Sequence, residues 1–438
     1  MTEAATGQAG VSSTVGIIGL GYVGLPLAVA FAEAGLAVVG VDTSADKVAA
    51  VGAGRSYIED VSSDALAPLL ASGRLTATTD ATRLRDCSAI LVCVPTPLGQ
   101  HREPDLSYVT SAAETAIANL APGALLVLES TTWPGTTREV LAPMLEAAGR
   151  TIGEDAYLAF SPERVDPGNT RWGMRETPKV VGGLTPACAA RAEALYARIC
   201  DRVHPVSSPE SAEMAKIIEN TFRAVNIALV NEMAILADRM GIDVWEAIEA
   251  SATKPFGFMP FWPGPGLGGH CIPVDPFYLA WRARAFDLDS EFVELAGRIN
   301  VNMPYYAVAR IARALNARGK AVRGAGILLL GMAYKADVGD LRESPSLKLL
   351  ELLRAEGGRV SYHDPHVATL PAEGLSSVPL DAGPVAAADC VVIATAHAAL
   401  DLTLVVAHAD LVVDLRNAVR QRLLGGASGS VPPNVDVL

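Results

Sequence analysis

The sequence predicts an α/β protein in which two doubly wound domains flank a long central helix and a helical middle. Three observations carry that reading. Short apolar runs alternate with helix-length stretches in both halves of the chain, the pattern of parallel sheets covered on both faces. Residues 211–240, SAEMAKIIENTFRAVNIALVNEMAILADRM, keep a helical period without a breaker and are closed by Gly241, well beyond the length of an average helix. The strand–loop–helix–strand order of the N-terminus then returns after Ala321, where GILLLGMAYKADVGDLRESPSLKLLELLRAEGGRVSYHD ends at Asp364.

In chain order the first element is a buried strand, Val15 to Ile18, followed by a glycine-rich turn. A helix from Leu25 to about Gly35 comes next, then a strand from Ala37 to Val41 that ends on Asp42. Apolar runs at Ala89–Val94, Ala124–Leu128 and Tyr157–Phe160 extend the same parallel sheet. After the central helix comes a loop rich in proline, glycine and aromatics, KPFGFMPFWPGPGLGGH, and then more helix through Ala309. The second α/β domain adds strands at Cys390–Ala394 and Leu411–Leu415. The expected divisions are 1–207, 208–317 and 318–438. A long apolar helix in the middle part is also a candidate dimer surface.

Composition narrows the function classes. A chain of 438 residues, half of them hydrophobic, can build two to three cores. The formal charge of −13 and the lack of any dense Lys/Arg block argue against nucleic acid or an anionic membrane as the main partner. MTEAATGQAG has neither a basic nor an apolar signal region and reads as a loose tail. No apolar run of about 18 residues marks a transmembrane span. The six cysteines are scattered without a CxxC pair, so free thiols and a reducing cytoplasm are expected.

Gly19-Leu20-Gly21-Tyr22-Val23-Gly24 fits GxGxxG between a strand and a helix. The glycines allow a tight turn, close approach to a pyrophosphate and close helix–strand packing. The helix N-terminus then presents its partial positive charge to the phosphates. Asp42, about twenty residues on, would bond the adenosine ribose, and its charge favours NAD over NADP. The motif alone leaves FAD open. Lys47 reads equally as a ribose or phosphate contact and as a surface lysine. Both α/β domains are thus expected to be Rossmann-like, the second without the glycines.

From Leu91 onward, LVCVPTPLGQHREPDLSYV begins a series of runs that resembles the UDP-glucose/GDP-mannose dehydrogenase family. The series continues with ESTTWPGTT at 129–137, FSPERVDPGN at 160–169, AEMAKIIENTFRAVNIALVNE at 212–232, GPGLGGHCIPVDPFYL at 264–279, LGMAYKADVGDLRESPS at 330–346 and VVDLRN at 412–417. Together the runs span nearly the whole chain in family order. The resemblance implies an N-terminal NAD domain, a middle domain carrying a catalytic Cys loop, and a C-terminal domain for the UDP-sugar. It also implies dimerisation, or a higher homo-oligomer, through the long helix, and a two-step oxidation consuming two NAD per sugar. Enzymes of the UDP-glucose branch have a second carboxylate four residues after the SPE glutamate, Tyr before the nucleophilic Cys and Lys three residues after it. Here those places hold Pro167, His270 and Val274. The chain is therefore more similar to the branch acting on UDP-N-acetylhexosamines. The run ATKPFGFMPFWPGPGLGGHCIPVDPFYL most resembles UDP-N-acetylglucosamine 6-dehydrogenases, with the UDP-N-acetylmannosamine enzymes next.

Oxidising an alcohol to an acid without releasing the aldehyde needs a covalent handle, and a thiolate supplies one through a thiohemiacetal and a thioester. Cys271 follows two glycines and precedes Ile272-Pro273, so a helix start is expected beside it, which favours the thiolate. Its other reading is a small buried hydrophobe, the reading preferred for Cys93, Cys390 and the rest. Lys216 and Asn220 share a helix face, with Arg223 nearby; the bland alternative is a solvent-facing polar stripe. By the resemblance, Lys216 and Asn220 stabilise the oxyanion and Arg223 contacts substrate. Asp275, expected one turn along the Cys271 helix, resembles the family's carboxylate that works with Thr131 on the hydrolytic water, and Glu163 is the second candidate base. Either acid could instead be a cap or surface residue. Thr96 and Thr131 follow strand ends, where doubly wound sheets bind ligands. Tyr334, Lys335 and Arg416 suit a UDP-sugar at the ends of the C-terminal strands. The resemblance also implies that Arg342 reaches the NAD of a neighbouring subunit. Arg164, Val165 and the loop from Lys254 to Gly268 complete the pocket.

No metal is expected, since no second His or Cys stands at ligand spacing from His270. Two other readings compete: a two-electron β-hydroxyacid dehydrogenase, and a sugar-nucleotide sensor without catalysis. The GGHC loop and the third domain count against the first. The joint presence of Cys271, Lys216, Asn220 and Asp275 counts against the second.

Overall fold

The computed structural model describes residues 14–58, 60–99, 103–166, 169, 171–269, 272–426 and 430–438. The expectations for Pro167, His270 and Cys271 therefore lie outside the described residues. Two compact units make up the chain. One takes in residues up to Glu219 together with Trp281–Asp287, the other Asn220–Ala280 with Leu288–Leu438.

The first unit runs β1 (Thr14–Ile18), α1 (Gly24–Glu33), β2 (Ala37–Val41), α2 (Ala45–Gly52), α3 (Ser63–Ala71), β3 (Leu75–Thr78) and β4 (Ala89–Val92). It continues with α4 (Ser107–Ala118), β5 (Ala124–Leu128), α5 (Ala142–Ala147), β6 (Ala156–Phe160), β7 (Lys179–Gly183), α6 (Pro186–Tyr196) and β8 (Val203–Val206). Its sheet has the order β3-β2-β1-β4-β5-β6-β7-β8. The first six strands are parallel, in the order of a dinucleotide-binding sheet. Strand side chains alternate between faces, and the core divides accordingly. Leu91 joins Leu25 and Phe31 on one side, while Ile90 and Val92 join Val109 and Leu145 on the other.

The sheet departs from the all-parallel expectation at β7, which runs antiparallel to β6, while β8 is parallel to β7. The reason is the connection. Among the described residues of 161–178 there is no helix to carry the chain back across the sheet, and a parallel return needs such a crossover. α6 supplies one between β7 and β8.

Helix α7 (Pro209–Met240) begins with Pro at its first position. Its 32 residues span about 48 Å. Gly241, in the left-handed region at φ 68°, ends it, with the Ile242 N–H returning to the Ala237 carbonyl at 2.9 Å.

In the second unit, α8 (Val244–Ala252) is capped by Asp243, whose Oδ1 accepts the N–H of Trp245 and Glu246. α9 (Asp275–Ala283) and α10 (Glu291–Asn316) are the further helix expected through Ala309, which comes in two pieces and runs on to Asn316. The break falls at Asp287, which has left-handed backbone at φ 56°. Asp275 opens α9 rather than sitting one turn inside it. A five-stranded sheet follows: β9 (Gly326–Leu330), β10 (Arg359–His363), β13 (Cys390–Ile393), β14 (Val412–Asp414) and β15 (Val435–Val437), with α11 (Pro345–Ala355) between the first two. All its pairings are parallel, in the order β10-β9-β13-β14-β15, a second doubly wound pattern. A two-stranded antiparallel pair, β11 (Thr369–Leu370) and β12 (Leu375–Ser376), sits beyond β10.

Candidate functional site

The turn after β1 shows which glycines the fold requires and which it does not. Gly19 has φ 95°, and a Cβ there would meet the Cys93 carbonyl oxygen at 2.3 Å. A Cβ on Gly24 would meet the Gly19 carbonyl oxygen at 1.8 Å. Around Gly21 an added Cβ meets nothing within 4 Å. Its glycine is not demanded by the protein's own packing, as befits a place where a pyrophosphate comes close. The N-cap of α1, Val23, makes no side-chain capping bond, so no side chain at Val23 takes the amides that a phosphate would use. These features fit NAD. Asp42 is nearly buried. Its carboxylate accepts the Leu20 N–H at 2.8 Å and the Ser44 N–H at 2.9 Å, and Lys47 Nζ lies 3.5 Å away. Asp42 thus fastens the glycine turn to the end of β2. Tyr57 donates to the Leu20 carbonyl at 2.6 Å, and burial, aided by Asp42, pushes its hydroxyl up to about 12.

At the ends of β4 and β5, Ser130 bridges the strands through Val94 N–H (2.9 Å) and Val94 O (2.8 Å). Thr96 is buried and Thr131 partly buried just beyond them. After β6, Glu163 turns its Oε1 back to the N–H of Arg164 (2.8 Å) and Val165 (2.6 Å). Lys216 of α7 donates to the Glu163 carbonyl oxygen at 2.5 Å. Arg164 is held by the Pro178 carbonyl and by Glu219, each at 2.6 Å.

Within the second unit the Asn220 amide donates to the buried Asp275 carboxylate at 2.5 Å. Asn231 and Asn300 pair at 3.0 Å, and Asn231 accepts the Gly264 N–H at 3.0 Å, anchoring the glycine-rich loop. That loop packs on the C-terminal sheet. A Cβ on Gly264 would lie 2.4 Å from Arg416 Nη1, and one on Gly268 would lie 2.4 Å from the Tyr334 Cβ. The Gly269 N–H reaches the Arg342 carbonyl at 2.9 Å. Arg416 donates through Nε to the Ala394 carbonyl at 2.9 Å. Burial lowers it to about 10, which leaves it charged at neutral pH. Among the described residues, four that are not glycine have left-handed backbone, and three of them follow β9 or β14: Asp337, Glu343 and Asn417. Both polar atoms of the Asn417 side chain are buried without a hydrogen-bond partner. Strain and unmet polar groups at strand C-termini mark a ligand edge.

The NAD-binding-domain model of the UDP-glucose/GDP-mannose dehydrogenase family matches residues 13–200. The central-domain model matches 210–302 and the UDP-binding-domain model 328–421. The chain belongs to this family. It is an NAD-dependent dehydrogenase of UDP-sugars. Over 355 residues it is 38% identical to a UDP-N-acetyl-D-glucosamine 6-dehydrogenase of Pseudomonas aeruginosa, covering 81% of this chain and 83% of that one. Over 384 residues it is 37% identical to a UDP-N-acetyl-D-mannosamine dehydrogenase of Pyrococcus horikoshii, covering 87% and 89%. A solved structure of a UDP-D-ManNAc dehydrogenase from Pyrococcus horikoshii superposes with a TM-score of 0.87 at 34% identity, covering 97% of this chain and 98% of that one.

Within this family member, geometry sorts the residues expected from sequence. Gly268, Tyr334, Arg342 and Arg416 lie around one loop, Lys216 meets Glu163, and Asn220 meets Asp275. Lys254 is exposed on its loop with Nζ 5.1 Å from the Phe256 ring centroid. Arg223 is exposed on α7. Sequence reasoning missed Glu129, Lys179 and Tyr196, which meet beneath Glu163. The signal was present: Glu129 closes the apolar run ALLVL, and Lys179 opens the apolar run VVGG. Burial raises the thiols of Cys87, Cys93, Cys200 and Cys390, which makes them poor nucleophiles.

One trio among the described residues, Asp337, His366 and His397, brings potential ligand atoms within 4.8 Å of one another. His397 has no lone pair to give. Its Nδ1 accepts the Asp337 N–H at 2.9 Å and its Nε2 faces Asp364 at 3.1 Å.

Proposed function

We propose that the chain oxidises the C6 hydroxymethyl of UDP-N-acetylglucosamine to the carboxylate, taking four electrons from each sugar. The observation that carries this reading is the pairing of Asn220 with the buried Asp275 at 2.5 Å, an amide donor and a carboxylate, the latter four residues along the chain from the proposed nucleophile, Cys271. We assign residues 1–207 to NAD, 208–317 to the Cys271 loop and dimerisation, and 318–438 to UDP. NAD, when bound, supplies the hydride acceptor for both oxidations. Gly19 to Gly24, Asp42, Lys47, Thr96 and Thr131 would hold it, with Arg342 of a neighbouring subunit.

The first two-electron oxidation turns the alcohol into an aldehyde. The Cys271 thiolate adds to the aldehyde carbon, and the resulting oxyanion is met by Lys216 and Asn220. Lys216 spends one of its three donors on the Glu163 carbonyl, and Asn220 one of its two on Asp275. The second two-electron oxidation gives a thioester. Water cleaves it, releasing the carboxylate and restoring the thiol. Glu163 and Asp275, with Thr131, serve the proton transfers at the hydroxyl and the water. Arg164, Val165, Arg223, Lys254, Gly268, Tyr334, Lys335 and Arg416 complete the substrate site.

UDP-N-acetylmannosamine is the second reading. It is favoured by the longer match to the mannosamine relative, 384 residues against 355. The test counts NADH released per sugar with UDP-N-acetylglucosamine, UDP-N-acetylmannosamine and UDP-glucose. Two per sugar is expected with the first; a higher kcat/KM with the second would reassign the substrate, and one per sugar would remove the thioester. Cys271→Ser should abolish acid formation.

A homodimer or higher homo-oligomer built through α7 fits its exposed apolar stripe, Ile218, Phe222, Leu229, Met233, Leu236 and Met240, whose intervals of three, four and seven residues keep to one helix face. A cytoplasmic site of action fits the free, buried cysteines. No helix among the described residues is long and apolar enough to cross a membrane.

A further inference from the structure

Beneath Glu163 lies a buried charge cluster drawn from four elements. Lys179, at the start of β7, places Nζ 2.9 Å from Glu129 Oε2 and 3.3 Å from Glu163 Oε2. Glu129 follows β5, and its other oxygen accepts the hydroxyl proton of Tyr196, the last residue of α6. The Lys179 ammonium also stands 5.2 Å from the Tyr196 ring centroid. Lys216 of α7 bonds the Glu163 carbonyl oxygen from the other side. The thiols of Cys93 and Cys200 complete the titratable surroundings.

A plain internal salt bridge would need only Glu129 and Lys179. This cluster contains a second carboxylate, and burying a second ionisable group adds a desolvation cost that a plain salt bridge would not carry. Exposure shows where the cluster leads. The Glu129 side chain is 0% exposed and that of Lys179 4%, while that of Glu163 is 16% exposed. Among these three charged groups, Glu163 has the largest solvent opening. Both its oxygens are held, Oε1 by two backbone N–H groups and Oε2 by Lys179. We propose that Lys179, held from behind by Glu129 and Tyr196, is a positioning residue that fixes Glu163 as an aimed, ionised base for the oxidation.

The charges agree with this arrangement. Burial alone would raise the Glu163 carboxyl, yet Lys179, the Val165 and Arg164 amides and Lys216 together hold it below its ordinary value. Burial raises Glu129 to about 7 against the pull of Lys179. The two carboxylates are thus driven apart in acidity, with the exposed one kept ionised.

The inference rests on the reading of Glu163 as a base, so its test has one arm that needs no turnover. In protein labelled with carboxyl-13C glutamate, the Glu163 signal is assigned by its loss in Glu163→Gln and then titrated. Lys179→Met should raise its midpoint by roughly one pH unit or more, and Lys179→Arg should restore it. Glu129→Gln frees Lys179 to serve Glu163 alone and should move the midpoint downward. That variant keeps the Lys179–Glu163 pair, and its circular dichroism spectrum is compared with the wild type before titration. The acid limb of the kcat profile should shift in the same directions, with the KM for NAD and UDP-sugar nearly unchanged. A uniform loss of kcat with unmoved midpoints would overturn the proposal, as would an upward shift in Glu129→Gln. If the wild type releases no NADH with any UDP-sugar while the carboxyl titrations behave as described, the functional reading fails and the positioning role of Lys179 stands.

Discussion

Individual residues divide into those the fold requires and those it leaves free for a ligand. Gly24 cannot carry a Cβ without a collision at 1.8 Å, whereas Gly21 faces open space. Gly21→Ala should therefore leave the melting temperature unchanged or slightly raised, because the unfolded chain loses freedom. The same change should raise the KM for NAD roughly tenfold, about 1.4 kcal/mol. An unaltered KM would show that no phosphate approaches that position. Lys216 is tested differently. Its ammonium is anchored to a backbone carbonyl yet keeps two donors free of that bond. Lys216→Ala should lower kcat by roughly 10² to 10³, the usual effect of deleting one oxyanion donor, with a much smaller change in the KM for the UDP-sugar.

Among the elements, α7 carries several roles along one rod. Its polar residues Lys216 and Asn220 meet Glu163 and Asp275, and Asn231 anchors the glycine-rich loop. Its remaining exposed stripe is apolar. Each buried Leu contributes about 1.5–3 kcal/mol, so Leu229→Glu combined with Leu236→Glu should turn the proposed oligomer into monomer in sedimentation equilibrium. A wild-type chain already monomeric at micromolar concentration would remove that assembly. The helix was legible because 30 residues without proline or glycine in the right period admit little else. Strands β3, β7 and β8 were not. They read LTAT, KVVGG and VHPV, short segments carrying threonine, lysine, glycine, histidine or proline. Two of them lie at sheet edges, where neighbours rather than propensity decide pairing.

Across the whole molecule, the two α/β sheets use one device twice. Asp42 at the end of β2 accepts an amide from the loop after β1. Asp364 at the end of β10 accepts the Met332 and Ala333 amides after β9 at 2.6 and 3.0 Å, those of His366 and Val367, and the His397 ring. Burial opposes its ionisation, but His397 and these amides hold it at about 2. A depressed carboxylate stabilises the fold above its unfolded value near 4, and that stabilisation fades as pH falls toward 2. Asp364→Asn should cost about 2–3 kcal/mol at pH 7, with the difference from wild type vanishing near pH 2 in urea unfolding curves.

The glycine turn, the terminal Asp42, the long helix and the ordered motif series are local patterns. Period, turn chemistry and spacing express them without any knowledge of distant contacts, and so the fold class, NAD and the sugar-nucleotide family were readable from the chain. What packing alone decided are the meetings between residues far apart in sequence. Asn220 reaches Asp275 across 55 residues, and Lys179 stands between Glu129 and Glu163, 50 and 16 residues away. A lone lysine in an apolar strand is an anomaly in one dimension. Only the sheet order, which sets β5, β6 and β7 side by side, makes it the cation that two buried carboxylates share.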